Sequence, residues 1–133
     1  MANSFAEEVI ALKLLADRLC EGKNKCNGLF LVSYQILFVL SEEEFVSPKK
    51  LVEDLGLAKS NLALIAKSMQ NKGLLSVSKD EKNRKEIYYS ITSKGKEMLA
   101  NKVAQIDNQV SPQLKEQKAL LDKAINVLKL VKD

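Results

Sequence analysis

At Gly73 the spacing of apolar residues changes, and that change limits the folds open to the chain. Upstream, apolar residues recur at helical spacing. Immediately downstream, "LLSVS" (74–78) and "EIYYSIT" (86–92) are short β-branched or aromatic runs with a period near two, flanking the polar "KDEKNRK" (79–85). The two runs read as antiparallel strands joined by a charged tip, and most of the remaining sequence reads as helix. The expected fold class is mainly α with a small β-hairpin wing.

The helical part carries its own start and stop signals. Over residues 4–20, Phe5, Val9, Leu12, Ala16 and Leu19 recur at helical spacing among good helix formers. A loop, "CEGKNKCNG" (20–28), holds both cysteines and the two early glycines, and a second apolar helix follows at about 31–41. In "VSPKKLVEDLGL" (46–57), Ser47 suits an N-cap, Pro48 the first helical position and Gly56 a left-handed stop. A longer helix opens in "KSNLALIAKSMQNKG" (59–73), with Leu62, Ile65, Ala66 and Met69 on one face and Gly73 as its stop. Helix, short glycine-containing turn and helix make a helix-turn-helix, whose second helix presents N-terminal side chains to base edges. The wing beyond it carries Lys82, Arg84 and Lys85 at its tip, suited to a phosphate backbone or a narrow minor groove.

Charge singles out the same segment. The chain has 21 basic and 17 acidic residues, net +4, while residues 59–96 hold nine basic and three acidic ones, net +6, which leaves −2 elsewhere. One basic segment on a slightly acidic body suits a polyanion contact, since Lys and Arg neutralise phosphates and release condensed counterions. A solvated surface loop is the plain alternative.

Other functions are closed by what the chain lacks. With 133 residues, 46% of them hydrophobic, it can bury a core and fits one domain spanning 1–133. Its longest apolar stretch, 28–40, is short for a membrane span and is interrupted by Ser33, Tyr34 and Gln35. The first residues lack the basic and apolar regions of a signal peptide, so a cytoplasmic location and no membrane partner are expected. There is no His, which removes Ser–His and Cys–His nucleophiles and imidazole metal ligation, and two cysteines alone do not make a structural zinc site. Neither a GxGxxG nor a GxxxxGK[ST] loop occurs. No enzyme activity, metal or cofactor is expected.

The segment "LVEDLGLAKSNLALIAKSMQNKGLLSVSKDEKNRKEIYYSITSKGKEML" (51–99) resembles the winged helix of the MarR family of bacterial transcription regulators. The matching pieces are the "LGL" turn, the small polar start of the next helix, the "KGLL" exit into the wing, the "D..NRK" tip and the "ITSKG" that leads into the following helix. The resemblance implies a winged helix-turn-helix over 31–95, flanked by dimerisation helices at 1–20 and 96–133. It also implies a homodimer bound to a pseudo-palindromic operator in double-stranded DNA.

The chain differs from that family's usual pattern at Leu64, where Arg is common, and at Asn83, where Asp commonly precedes the wing Arg. At Ala58, where a Ser cap is usual, a backbone N–H is left to Ser60 or water. The candidate DNA-binding residues are Lys59, Ser60, Asn61, Ala63, Leu64, Lys67, Lys82, Arg84 and Lys85. Asn61 suits adenine, Lys59 and Lys67 suit phosphate or guanine, Ser60 suits either, and Leu64 either touches a thymine methyl or packs inward.

Beyond the wing, Leu99, Val103, Ile106 and Val110 form one apolar stripe. Ser111 and Pro112 make a cap and first-turn pair, and Leu114, Leu121, Ala124, Ile125, Leu128 and Val131 form another stripe. With the N-terminal helix these stripes either build a dimer interface or fold back on the chain's own core. Two recognition helices in such a dimer would meet half-sites about 10 base pairs apart. The resemblance further implies a small, often aromatic or phenolic, effector in a cleft between the dimer helices and the winged helix. Phe30, Tyr34 and Phe38 either line that cleft or pack in the core. Cys20 and Cys26, six positions apart with Lys23 and Lys25 nearby, open a redox-sensing alternative. Against it, cytosolic cysteines are usually reduced and inert. A winged helix used for protein contact is a further alternative, opposed by the basic wing.

Overall fold

Short-range signals fix most helix ends in the computed structural model, which describes residues 4–21, 28–83 and 85–131, with side chains at 21 and 28–31 excepted. Helix α1 (Phe5–Glu21) opens on a reciprocal cap. The Ser4 N–H donates to Glu7 Oε1 at 3.1 Å, and the Glu7 N–H donates to Ser4 Oγ at 3.2 Å. The bond from the Ser4 backbone, then that with its side chain, holds the Glu7 carboxyl below its usual range. Helix α2 (Gly28–Glu42) begins earlier than the expected 31, because the apolar run that follows carries the helix through a glycine of low propensity.

Helix α3 (Pro48–Leu55) has the expected ends. Ser47 Oγ accepts the Lys50 N–H at 3.2 Å, and Gly56, at φ 65°, returns its N–H to the Val52 carbonyl at 2.9 Å. Helix α4 (Lys59–Asn71) starts at Ala58 with no side-chain cap. It stops in a Schellman motif: the Leu74 N–H reaches the Met69 carbonyl and the Gly73 N–H the Gln70 carbonyl, both at 2.9 Å, with Gly73 at φ 77°. Leu74 and Met69 both join the core.

Strands β1 (Leu75–Lys79) and β2 (Ile87–Ile91) pair antiparallel, Leu75 opposite Ile91 and Val77 opposite Tyr89. Val46, just before α3, adds a bridge to Tyr89 through N–H···O bonds of 3.0 and 2.8 Å. Sequence periodicity gave no sign of that third edge, since a one-residue bridge has no period. Helix α5 (Ser93–Gln109) is tied to the hairpin by Thr92, whose Oγ1 donates to the Gly73 carbonyl at 2.6 Å and accepts the Gly95 N–H at 3.0 Å. Helix α6 (Pro112–Lys115) is capped by Ser111, and helix α7 (Lys118–Lys129) follows. The second C-terminal stripe is therefore split between two helical segments.

The core gathers around α2. Ile36, Leu37 and Leu40 are fully buried in one core with Leu51 of α3, Leu62, Ala66 and Met69 of α4, Leu75 and Tyr89 of the wing, and Val46 of the bridge. Lys102 of α5 is itself buried, with its ammonium 5.4 Å from the centre of the Tyr34 ring of α2. The terminal helices differ. No described residue of α1, α6 or α7 is buried, and large apolar side chains there stand open, with Leu14 61%, Leu121 58% and Ile125 49% exposed. Among the described residues the α5 stripe reaches the core through Leu99, while α1, α6 and α7 contribute no residue to it. No described helix is long and apolar enough to cross a membrane.

Candidate nucleic-acid interface

Helix α4 turns one face inward and so fixes what the other can offer. Leu62, Ala66 and Met69 are buried. At about 100° per residue, the opposite crest falls on Ser60, Leu64, Lys67 and Asn71, all of them exposed. Leu64, for which the sequence left two readings, points outward and is 71% exposed. Lys59 and Ala63 lie on the flank of the crest toward the wing, and Asn61 and Ser68 on the flank toward α2 and α5.

The wing-side flank opens into a groove of about 610 Å³ whose lining includes Lys49, Lys59, Ala63, Lys85, Glu86 and Tyr88. Three elements each contribute one lysine: α3, α4 and the wing. Lys49 is the residue that sequence reasoning missed, because the basic segment was counted from 59; the available signal was the "SPKK" at the start of α3. Its neighbour Lys50 turns to acids instead, 3.1 Å from Asp54 and 3.7 Å from Glu43, and the Asp54 hydrogen bond and charge raise its pKa. Among the described residues, Lys49, Lys59, Lys67, Lys82 and Lys85 form no salt bridge. Their charges are open to a polyanion.

Tyr88 adds a hydroxyl to the groove. It donates to Glu86 Oε2 at 3.4 Å, and the Glu86 charge first, then burial, then the Asp80 charge push its phenol above the ordinary value. At the tip, Asp80 Oδ1 accepts the Lys82 N–H at 3.0 Å and Asn83 Oδ1 accepts the Lys85 N–H at 3.2 Å. These Asx-type turns hold the tip and leave Lys82 and Lys85 exposed. Arg84 lies outside the described residues.

On the far flank of α4 a cavity of about 730 Å³ lies between α2, α4 and α5, with Val32, Ser33, Asn61, Leu64, Lys72 and Met98 among its walls. Of the aromatics suggested for a ligand cleft, Tyr34 sits half-buried beneath Lys102 and Phe38 is 56% exposed. Neither is among this cavity's walls, and the Phe30 side chain lies outside the described residues. Cys20 is half-buried near the end of α1, while Cys26 lies outside the described residues, and so does the geometry of that pair. Among the described residues no cluster of acids and cysteines could hold a metal ion.

A helix-turn-helix, a hairpin and a lysine-lined groove joining them define a particular domain type, and residues 32–110 match the model of the winged helix DNA-binding domain. The chain belongs to that family. Solved structures share the winged helix fold along nearly the whole chain. The transcriptional regulator BldR from Sulfolobus solfataricus is 21% identical with a TM-score of 0.69, covering 98% of this chain and 100% of its own. A transcriptional regulator from Thermotoga maritima is 21% identical with a TM-score of 0.63, covering 94% and 89%. BpsR from Bordetella bronchiseptica is 14% identical with a TM-score of 0.60, covering 90% and 98%. No curated protein sequence gives a match. The fold implied by the MarR resemblance is thus the fold of this winged helix chain, and the BldR and Thermotoga maritima proteins that share it are transcriptional regulators.

Proposed function

We propose that this winged helix chain is a MarR-like transcriptional regulator that acts in the cytoplasm and binds a pseudo-palindromic operator as a homodimer. The observation that carries the reading is the groove in which Lys49, Lys59 and Lys85 converge from three elements beside the exposed crest of α4. A duplex laid on that face would meet α4 in its major groove and the lysines along a phosphate strand. Ser60, Asn61, Leu64 and Lys67 would face bases, and Lys82, Arg84 and Lys85 the backbone or minor groove. The chain would work as one domain, 31–95 reading DNA and 1–20 with 96–133 pairing two copies. Support for pairing comes from the open apolar side chains of α1, α6 and α7.

The DNA binding of BpsR is regulated by 6-hydroxynicotinic acid. For this chain a small aromatic effector is proposed as well. Support for it comes from the cavity between α2, α4 and α5, whose wall includes Asn61 and Leu64 of α4, so that an occupant would touch the proposed reading helix. Selection of duplexes from a random pool by the full chain, with anisotropy titrations and light scattering of the complex, tests the reading. It expects a two-fold-related pair of half-sites bound by two chains. Failure to enrich any sequence, or one chain per duplex, would overturn it.

A further inference from the structure

Between α1 and α6, Leu64 is the most exposed large apolar side chain among the described residues, at 71%, ahead of Phe38 at 56% and Phe45 at 55%. It occupies the middle of the α4 crest, one turn beyond Ser60 and three positions before Lys67. The other side chains of that crest are polar or charged: a serine, a lysine and an asparagine, Asn71. The core does not need a leucine there, since the core face of α4 is already filled by Leu62, Ala66 and Met69, and at its edge toward α2 Leu64 only borders the open cavity. The alanine before it, Ala63, also exposed, adds no bulk and no hydrogen-bonding group at the wing-side shoulder. A branched apolar side chain raised between polar neighbours on a helix that enters the major groove has one apolar feature to meet there, the C5 methyl of thymine.

We infer that Leu64 is a specificity-determining residue that selects thymine through its methyl group. The inference rests on the proposed use of α4 in the major groove. The contact forms no hydrogen bond and releases no counterion, so it acts on sequence preference and leaves the salt dependence to the lysines. It also divides the labour along α4: Ser60 and Lys67 supply polar contacts on either side, and Leu64 supplies the apolar one between them.

The test replaces thymine by uracil, which removes only the methyl. Duplexes selected by the full chain from a random pool are resynthesised with each thymine changed singly to uracil and titrated by anisotropy. One thymine per reading head is expected to lose about fourfold in affinity, the equivalent of about 0.8 kcal/mol for a buried methyl. In Leu64→Ala and Leu64→Asn that difference should vanish, while binding to random duplexes and the slope against salt stay as in the parent. Both substitutions are at an exposed position and leave the core untouched. If the parent chain binds every uracil duplex as well as its thymine counterpart, or if the variants keep the discrimination, Leu64 does not read the methyl, although the reading of DNA by α4 stands. If the parent selects no duplex at all, the proposed function falls and the inference with it. If Leu64→Ala alters no DNA titration but removes association with another protein, Leu64 is a protein contact and the inference is overturned.

Discussion

Gly95 has no room for one more carbon: a Cβ there would run into the Leu74 carbonyl oxygen and lie 2.9 Å from Ile91 Cγ1 and 3.2 Å from Leu37 Cδ2. Backbone cannot step aside as a flexible side chain can, so Gly95→Ala is expected to destabilise the chain by about 1–3 kcal/mol in urea unfolding. The lysines respond differently because they are exposed and unpaired among the described residues. Lys49→Ala and Lys85→Ala should leave stability unchanged and weaken selected and random duplexes alike, each lowering the salt slope by about one unit in titrations at several salt concentrations. Asn61→Ala should instead weaken mainly the selected duplex, by about 1–3 kcal/mol, and relax preference at one base position. Equal losses on selected and random duplexes for Asn61→Ala would remove it from base reading.

Among the elements, the junction of α4 with β1 does the most to orient the interface. The Schellman motif at Gly73 turns the chain out of α4 directly into the strand, and the Thr92 bond to the Gly73 carbonyl closes the hairpin against that turn. Gly73 stands at φ 77° with nothing nearer to an added Cβ than the Lys94 side chain at 3.8 Å, so a substitution there meets backbone strain rather than a clash. Gly73→Ala is expected to cost about 1–2 kcal/mol in urea unfolding, the penalty of a left-handed conformation for a residue with a Cβ. A loss below a few tenths would mean that the turn relaxes to another conformation. These element ends were legible in the sequence because caps and glycine stops act over four or five residues: Ser47, Gly56, Gly73 and Ser111 were read from immediate neighbours and sit where expected. The Val46 bridge and the split of the last helix at 116–117 were not legible, since neither has a period of its own.

For the molecule as a whole, the contrast between a filled core around α2 and open terminal helices carries the proposed pairing. Leu121 and Ile125 stand 58% and 49% exposed on α7, and a second chain laid over them would bury both. Leu121→Glu with Ile125→Glu would then place unpaired carboxylates in the interface. The double variant is expected to halve the mass in light scattering and to weaken binding to a selected duplex by on the order of a hundredfold, since one head no longer holds the other near its half-site. An unchanged mass would show that α7 is not the pairing surface.

By itself the sequence determined the elements from α1 to α5 and their order, because periodicity, caps and turn glycines are written into neighbouring residues and need no distant partner. It also determined that the basic charge is concentrated at residues 59–96. What only the tertiary structure decided is direction and company. Leu64 could turn inward or outward until the core claimed Leu62, Ala66 and Met69 and left it on the crest. Lys49 and Lys85 are 36 positions apart in the chain and share one groove only because the start of α3 and the wing come together beside α4. Tyr34 and Phe38, one turn apart on α2, part company because α5 lays Lys102 over the first and leaves the second open. Such outcomes depend on which surfaces meet across long stretches of chain, and packing sets those distances where local propensity cannot.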